Sequence, residues 1–393
     1  MVNKIKLGDI ATVITKGTTP TSLGFSFVED GINFVKIESI NEDGTFIPEK
    51  FAHINSKCNE KLKRSQLQEN DVLFSIAGAI GRTAIVTKDI LPANTNQALA
   101  IIRIPNGVVD YKYLIYALES DSTIEQANKN KQGVAQLNLS LQNINDFVIP
   151  LFTEEKQKEI VSSLSLLDDL ISARKEQLSK LDELVKSRFI EMFGDPVTNE
   201  KNWVRVTLGD ICEIGSSKRV FEKDYVTSGV PFFRTKEIVE LSKGNVISTE
   251  LFISEEHFAN LKKSYGVPQK DDLLISAVGT IGTIWIVKGD FEFYFKDGNL
   301  IQIKSSEKFN SNYMKHLLDE LVANYKKEMS TGTAYSALTI AGLKKMLVYD
   351  VPLDLQNEFA NFVEQTEKLK LEVKESLEKL ETLKKSLMQK YFG

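Results

Sequence analysis

At 393 residues, with 42% hydrophobic and 26% charged side chains, the chain has an ordinary globular balance and length for two or three domains. No run approaches the roughly 18 apolar residues a membrane span needs, and the opening MVNKIKLGDIATVITKG breaks its apolar positions too often for a signal peptide. Two distant cysteines, Cys58 and Cys212, and three scattered histidines, His53, His257 and His316, argue against a disulfide framework and a structural metal site, and fit a reducing cytoplasm. The net charge of −5 counts mildly against nucleic-acid binding, although a basic face can sit on an acidic body.

In chain order, residues 1–153 carry short β-like runs at 32–37, 71–77, 83–86 and 98–104, bounded by Gly, Asn, Asp and Pro, and then a helical stretch at 111–119. From 154 to 193 the period changes. Neither Gly nor Pro occurs there, and apolar residues recur in alternating steps of four and three: Ile160, Leu164, Leu167, Ile171, Leu178, Leu181, Val185 and Met192, with Arg174 and Arg188 interrupting. A 3.5-residue period sustained over this length is a coiled-coil seam. The helix stops at Phe193-Gly194-Asp195-Pro196, glycine at the C-cap and proline just beyond.

From Trp203 onward the pattern begins again. Leu7-Gly8-Asp9-Ile10 returns 201 residues later as Leu208-Gly209-Asp210-Ile211, and the stretch 71–81 returns as 272–282. Farther on the offset is 199: Gln157 and Glu159 match Gln356 and Glu358, Lys186-Ser187 match Lys385-Ser386, and Phe193-Gly194 match Phe392-Gly393. The second copy has its own helical stretch at 312–327 and its own stripe, Phe359, Val363, Val373, Leu377, Leu380, Leu387 and Tyr391, interrupted by Thr366, Lys370 and Lys384. The expected fold is mixed α/β (α+β), with two like globular domains in tandem, 1–153 and 195–353. Two long helices, 154–194 and 354–393, separate them and pair as an antiparallel coiled coil with pseudo-two-fold symmetry. The alternative is two amphipathic helices, each docked on its own module.

Catalytic motifs are absent. There is no phosphate loop, no dinucleotide glycine fingerprint, no amino-methyltransferase motif and no nucleophile elbow. The carboxylate pairs Glu154/Glu155 and Asp168/Asp169 read as solvated helix faces. The duplicated Gly-x-x-Gly (Gly78 to Gly81, Gly279 to Gly282) reads as a tight turn between strands, with Arg82 the better phosphate contact; the second copy has Thr283 in its place.

The segment Met192-Phe193-Gly194-Asp195-Pro196-Val197, with Asn199, Trp203 and Leu208-Gly209-Asp210-Ile211, resembles the central conserved region of type I restriction-modification specificity (S) subunits, as does the doubled arrangement of domain and helix. The resemblance covers essentially the whole chain. It implies two target-recognition domains, each reading one half of a split, asymmetric site in double-stranded DNA. The paired helices would set the spacer and dock two modification (methyltransferase) subunits, with two restriction (nuclease-translocase) subunits completing the complex. It implies no cofactor in this chain: S-adenosylmethionine, ATP and Mg²⁺ would belong to the partners, and the setting would be cytoplasmic. The sequence departs from the family's Gly-Gly-Thr-Pro turn. The first copy has Lys16-Gly17-Thr18-Thr19-Pro20, and the second has Gly215-Ser216-Ser217-Lys218-Arg219 without the proline.

Direct readout favours Arg or Lys on guanine and Asn or Gln on adenine. Candidate DNA contacts are Lys16, Thr18, Thr19, Lys36, Arg82, Asn94, Asn96, Gln97 and Gln136 in the first copy. In the second they are Lys218, Arg219, Arg234, Lys236, Lys296, Asn299 and Tyr335. Lys36 and Arg234 lead, because both follow an aromatic-containing strand at equivalent places. Helices of this length run about 55 to 60 Å, roughly 16 base pairs, enough to span half-sites one turn apart. The competing function is a non-catalytic coiled-coil scaffold joining two protein-binding modules.

Overall fold

The computed structural model describes residues 3–129, 138–330 and 338–393. The chain forms two compact units, Met1–Lys175 with Glu375–Gly393, and Glu176–Lys374. Each long helix is therefore divided between the units, which the expected separation of domains from helices did not anticipate.

Unit one contains β1 (Asn3–Lys6), α1 (Leu7–Ile10), β2 (Val13–Lys16), β3 (Ile32–Val35), β4 (Ala52–Ile54), α2 (Ser56–Lys61), β5 (Val72–Ser75), β6 (Thr83–Ile85), β7 (Ala93–Thr95) and β8 (Leu99–Arg103). Then come α3 (Tyr111–Glu119), α4 (Asp121–Lys129), α5 (Leu141–Asn145), β9 (Val148–Leu151) and the start of α6 (Glu154–Phe193). One antiparallel sheet has the order β2-β8-β5-β6; a second has the order β4-β3-β7 with β3 and β7 parallel; β1 pairs with β9. Both faces of the first sheet are covered. Val72, Phe74, Ala100 and Ile102 point to one core and Leu73, Leu99 and Ile101 to another, the two-residue alternation of a strand.

Unit two repeats this plan. After the end of α6 come β10 (Arg205–Thr207), α7 (Leu208–Ile211), β11 (Ile214–Gly215), β12 (Tyr225–Val226), β13 (Val230–Phe233), α8 (Thr235–Ser242), β14 (Phe252–Ile253) and α9 (Glu255–Tyr265). They are followed by β15 (Leu273–Ser276), β16 (Ile284–Ile286), β17 (Tyr294–Phe295), β18 (Leu300–Ile303), α10 (Ser311–Ser330), α11 (Ile340–Lys345), β19 (Leu347–Tyr349) and α12 (Leu353–Phe392). Its sheets are β11-β18-β15-β16 and β12-β14-β13-β17, again with one parallel pairing, between β13 and β17.

The matched glutamines hold equivalent corners. The Gln157 carboxamide accepts from the Asp110 N–H at 2.9 Å and donates to Phe152 O; Gln356 accepts from the Asn310 N–H at 2.8 Å and donates to Val351 O. Each thereby ties the start of a long helix to the N-terminus of α3 or α10. The Phe-Gly-Asp-Pro junction is a cap, as expected. Gly194 has φ +78° and its N–H donates to Ile190 O, Asp195 accepts from the Val197 N–H, and the Trp203 indole donates back to Phe193 O at 2.9 Å.

The helices pair antiparallel within each unit. In unit one Asp168 meets Lys384 at 2.6 Å and Lys175 meets Glu381 at 3.6 Å, so one helix ascends as the other descends. In unit two Asp182 meets Lys370 at 2.5 Å and Arg188 meets Glu358 at 2.9 Å, with the same sense. The expected seam runs into both module cores, where residues of α6 and α12 lie in one cluster. Ile160 and Leu164 belong to the core of unit one, and Phe359 and Val363 to that of unit two. Leu167, Val185 and Val373 are buried, while Ile171, Leu178, Leu181, Leu377, Leu380 and Leu387 are only half-buried. Two helices alone cover a narrow stripe, and full burial returns where a module packs against them.

Candidate nucleic-acid interface

In unit one the sheet pairings bring separate loops to one edge. Because β3 and β7 run parallel, their ends release Lys36 and Asn96 side by side. Because β2 pairs with β8, Lys16 to Ala100, the loop 17–20 stands beside Asn96 and Gln97. The Gly17 N–H donates to Asn96 O at 3.1 Å, and a Cβ at Gly17 would fall 1.7 Å from Thr95 O, so only glycine permits this approach. The Thr19 hydroxyl then donates to the Gln97 side-chain oxygen at 2.6 Å. Lys16, Thr18, Thr19, Lys36, Asn96 and Gln97 thus share one edge.

Unit two builds the same edge from different residues. The Lys296 N–H donates to Phe233 O, the Lys218 N–H donates to the Tyr294 hydroxyl, and the Ser217 hydroxyl donates to Phe295 O. Arg219 meets Asp297 at 2.8 Å, where unit one has Thr19 and Gln97. Lys218, Arg219, Arg234, Lys296 and Asn299 gather there, with Lys236 exposed at the start of α8.

Several candidates have other tasks. Asn94 is wholly buried: its amide donates to Asn59 Oδ1 at 2.8 Å and to Leu62 O, and its oxygen accepts from the Thr95 N–H. It is a structural tie, not an exposed base reader. The Arg82 guanidinium donates through Nη1 to Ile40 O at 2.8 Å and to Ile37 O, which fastens the loop after β3 and engages one of its nitrogens. Arg234 forks back onto the buried Glu237 at 3.0 Å, and Lys36 lies over the Phe27 ring, 3.8 Å from Glu38, so both leading candidates reach the edge with part of their charge engaged. Gln136 and Tyr335 lie outside the described residues.

Two features escaped the sequence reading. A basic corner formed by the end of α2 and the turn after it carries Lys61, Lys63 and Arg64, and Arg64 donates to Lys16 O at 3.5 Å, against the same edge. Unit one also has a cleft of about 1200 Å³ between its sheet module and the long helices, lined among others by Tyr116, Glu119, Asp168 and Lys384. Burial raises the Glu119 carboxyl above its usual range, against a Thr83 hydroxyl that donates to it at 2.5 Å and favours the charged form. Among the described residues no group of His, Cys, Asp or Glu could hold a metal ion, and no helix is long and apolar enough to cross a membrane.

Known proteins share this fold. The chain matches the type I restriction modification DNA specificity domain twice, over residues 2–183 and 200–384. It belongs to that family and carries two tandem specificity domains. It is 28% identical over 252 residues to a Haemophilus influenzae chain named as a putative type I restriction enzyme specificity subunit, covering 62% of each. It is 26% identical over 273 residues to the Methanocaldococcus jannaschii MjaIX specificity subunit, covering 65% of this chain and 61% of that one. These matches therefore span under two thirds of the relatives' length. Among solved structures, the fold resembles a chain from a study of complex assembly and conformational transition of a type I restriction-modification system, with TM-score 0.59 and 19% identity over 99% of this chain and 97% of that one. It also resembles the S subunit from M. genitalium, with TM-score 0.56 and 16% identity, covering 100% and 96%.

Proposed function

We propose that the chain is the non-catalytic, sequence-specific DNA-binding subunit of a type I restriction-modification complex. Each unit reads one half of a bipartite, asymmetric target in double-stranded DNA. The observation that carries this reading is the duplicated strand-end edge: one backbone plan, with Lys16, Thr18, Thr19, Asn96 and Gln97 in one copy and Lys218, Arg219, Lys296 and Asn299 in the other. One scaffold with different polar side chains is what two different half-sites require.

The long helices set the spacer and dock two methyltransferase subunits. Leu170 and Leu383 in unit one are 40% and 49% exposed; Leu184 and Leu369 in unit two are 49% and 51% exposed. These pairs are equivalent at the 199-residue offset, and each lies beside an interhelical ion pair, Asp168–Lys384 or Asp182–Lys370. Two equivalent apolar spots suit two copies of one partner. Nuclease-translocase subunits complete the complex, and S-adenosylmethionine, ATP and Mg²⁺ act in the partners, in the cytoplasm. Titration of the chain assembled with its methyltransferase against duplex DNA tests the reading. Salt-sensitive, sequence-selective binding is expected, and tight binding of S-adenosylmethionine by this chain alone would overturn its non-catalytic part.

A further inference from the structure

We infer that the α2 corner of unit one is a clamp for the DNA phosphate backbone, separate from the base-reading edge it adjoins; this rests on the DNA-binding function proposed above. Lys57, Lys61, Lys63 and Arg64 fall within eight residues and are all exposed. Among the described residues none of them enters an ion pair, and the one acidic side chain interspersed is Glu60. On a chain of net charge −5 this is a local excess of positive charge with no carboxylate paired to it among the described residues.

The corner is also rigid and placed. Buried Asn94 donates from β7 to Asn59 and Leu62, Gln66 donates to Asn59 O at 3.0 Å, and the Ser65 hydroxyl donates to Leu62 O. The strand that releases Asn96 and Gln97 at the reading edge therefore also holds the cationic corner, while Arg64 reaches Lys16 O. Unpaired cations beside a row of base-reading side chains are where the duplex backbone passes when bases are read in a groove. Such phosphate contacts give affinity and register without sequence information.

Unit two lacks this strength. Its counterpart, α9, begins with Glu255 and Glu256, its Lys262 is paired with Glu292, and Lys218 lies over the Tyr265 ring 5.3 Å away. The clamp thus belongs to one half of the molecule, and the two half-sites contribute unequally to salt-dependent affinity.

The test uses the full chain assembled with its methyltransferase subunit and two probes: a duplex carrying the methylation-mapped target and a random-sequence duplex of the same length. K61A/K63A/R64A should weaken both probes equally, by tenfold or more. The plot of log affinity against log salt should also become shallower by about 2 to 3, at roughly 0.9 for each phosphate no longer neutralised. K61R/K63R/R64K, which keeps the charge, should bind as the parent does, and unchanged thermal unfolding shows that the exposed substitutions leave the fold intact. Unchanged affinity and slope, with target binding intact, overturns the clamp and leaves the proposed function standing. Weakening confined to the mapped target, with no change of slope, also overturns it by making these residues base readers. No binding of either probe by the parent complex overturns the proposed function, and the clamp with it.

Discussion

Phe392, the last residue of α12, packs against Tyr113 of α3 with ring centroids 5.2 Å apart. The last residue of α6, Phe193, meets Tyr313 of α10 at 4.7 Å in the same way. Each unit is therefore closed by the end of a helix that begins on the other repeat. Phe392→Ala should lower the stability of unit one by about 3 to 5 kcal/mol, the usual cost of emptying a buried phenylalanine site. Chemical denaturation would show it as a lower midpoint for one unit, and Phe193→Ala should do the same to the other.

Arg103 and Asp71 make a second internal tie. The guanidinium grips both carboxylate oxygens at 2.6 and 2.7 Å, and the carboxylate also accepts from the Gln68 N–H. Asp71 is almost fully buried. Arg103→Met should cost about 2 to 4 kcal/mol, because it leaves a buried charge without its partner. The double variant with Asp71→Asn should recover part of that stability in a thermal melt.

Acid should destabilise the protein partly through His316. Burial, with Lys315 and Lys370 adding to it, lowers its pKa to about 3, and its ring stands edge-on to Phe359 at 5.3 Å. The unfolded chain takes up this proton near pH 6.5 and the folded chain does not. Stability therefore falls as pH drops from about 6.5 toward 3, by up to ~1.4 kcal/mol per pH unit for this one group. Burial raises Glu119 and Asp319, which work in the opposite sense by taking up protons earlier when folded. His316→Leu should flatten the decline between pH 6.5 and 4, measured by denaturant titration at each pH.

The exposed leucines predict partner stoichiometry. Leu170→Glu with Leu383→Glu puts charge where an apolar surface would dock, weakening one site by about 3 kcal/mol or more. Sedimentation at micromolar concentration should then show one methyltransferase per chain instead of two. Retention of two would remove these leucines from the interface.

Much of this was written in the sequence. The matches Gln157/Gln356 and Phe193/Phe392 proved to be corner ties and unit closures, because a repeat preserves residues that hold the same local neighbours. The helix at Tyr111–Glu119 and the stop at Gly194 followed from local rules of periodicity and capping. What depended on tertiary pairing was not legible. Asn94 looks like an exposed adenine reader until β7 is seen to run parallel to β3 with α2 closing over it. The division of each long helix between two units has no local signature, and a heptad stripe looks the same whether it meets a helix or a sheet.

The separation of half-sites should follow helix length. Four residues inserted after Leu178 and four after Leu377, equivalent positions in α6 and α12, add about 6 Å to each helix, or roughly 2 base pairs of spacer. The half-sites themselves should not change, and an unchanged spacer would show that the helices do not measure it.

The most direct measurement of the central claim is a map of methylated adenines in a host carrying this chain and its methyltransferase partner. The account predicts methylation at a split target whose two half-sites differ from each other, as the two edges do. Identical half-sites, a single uninterrupted site, or methylation that does not depend on this chain would contradict it.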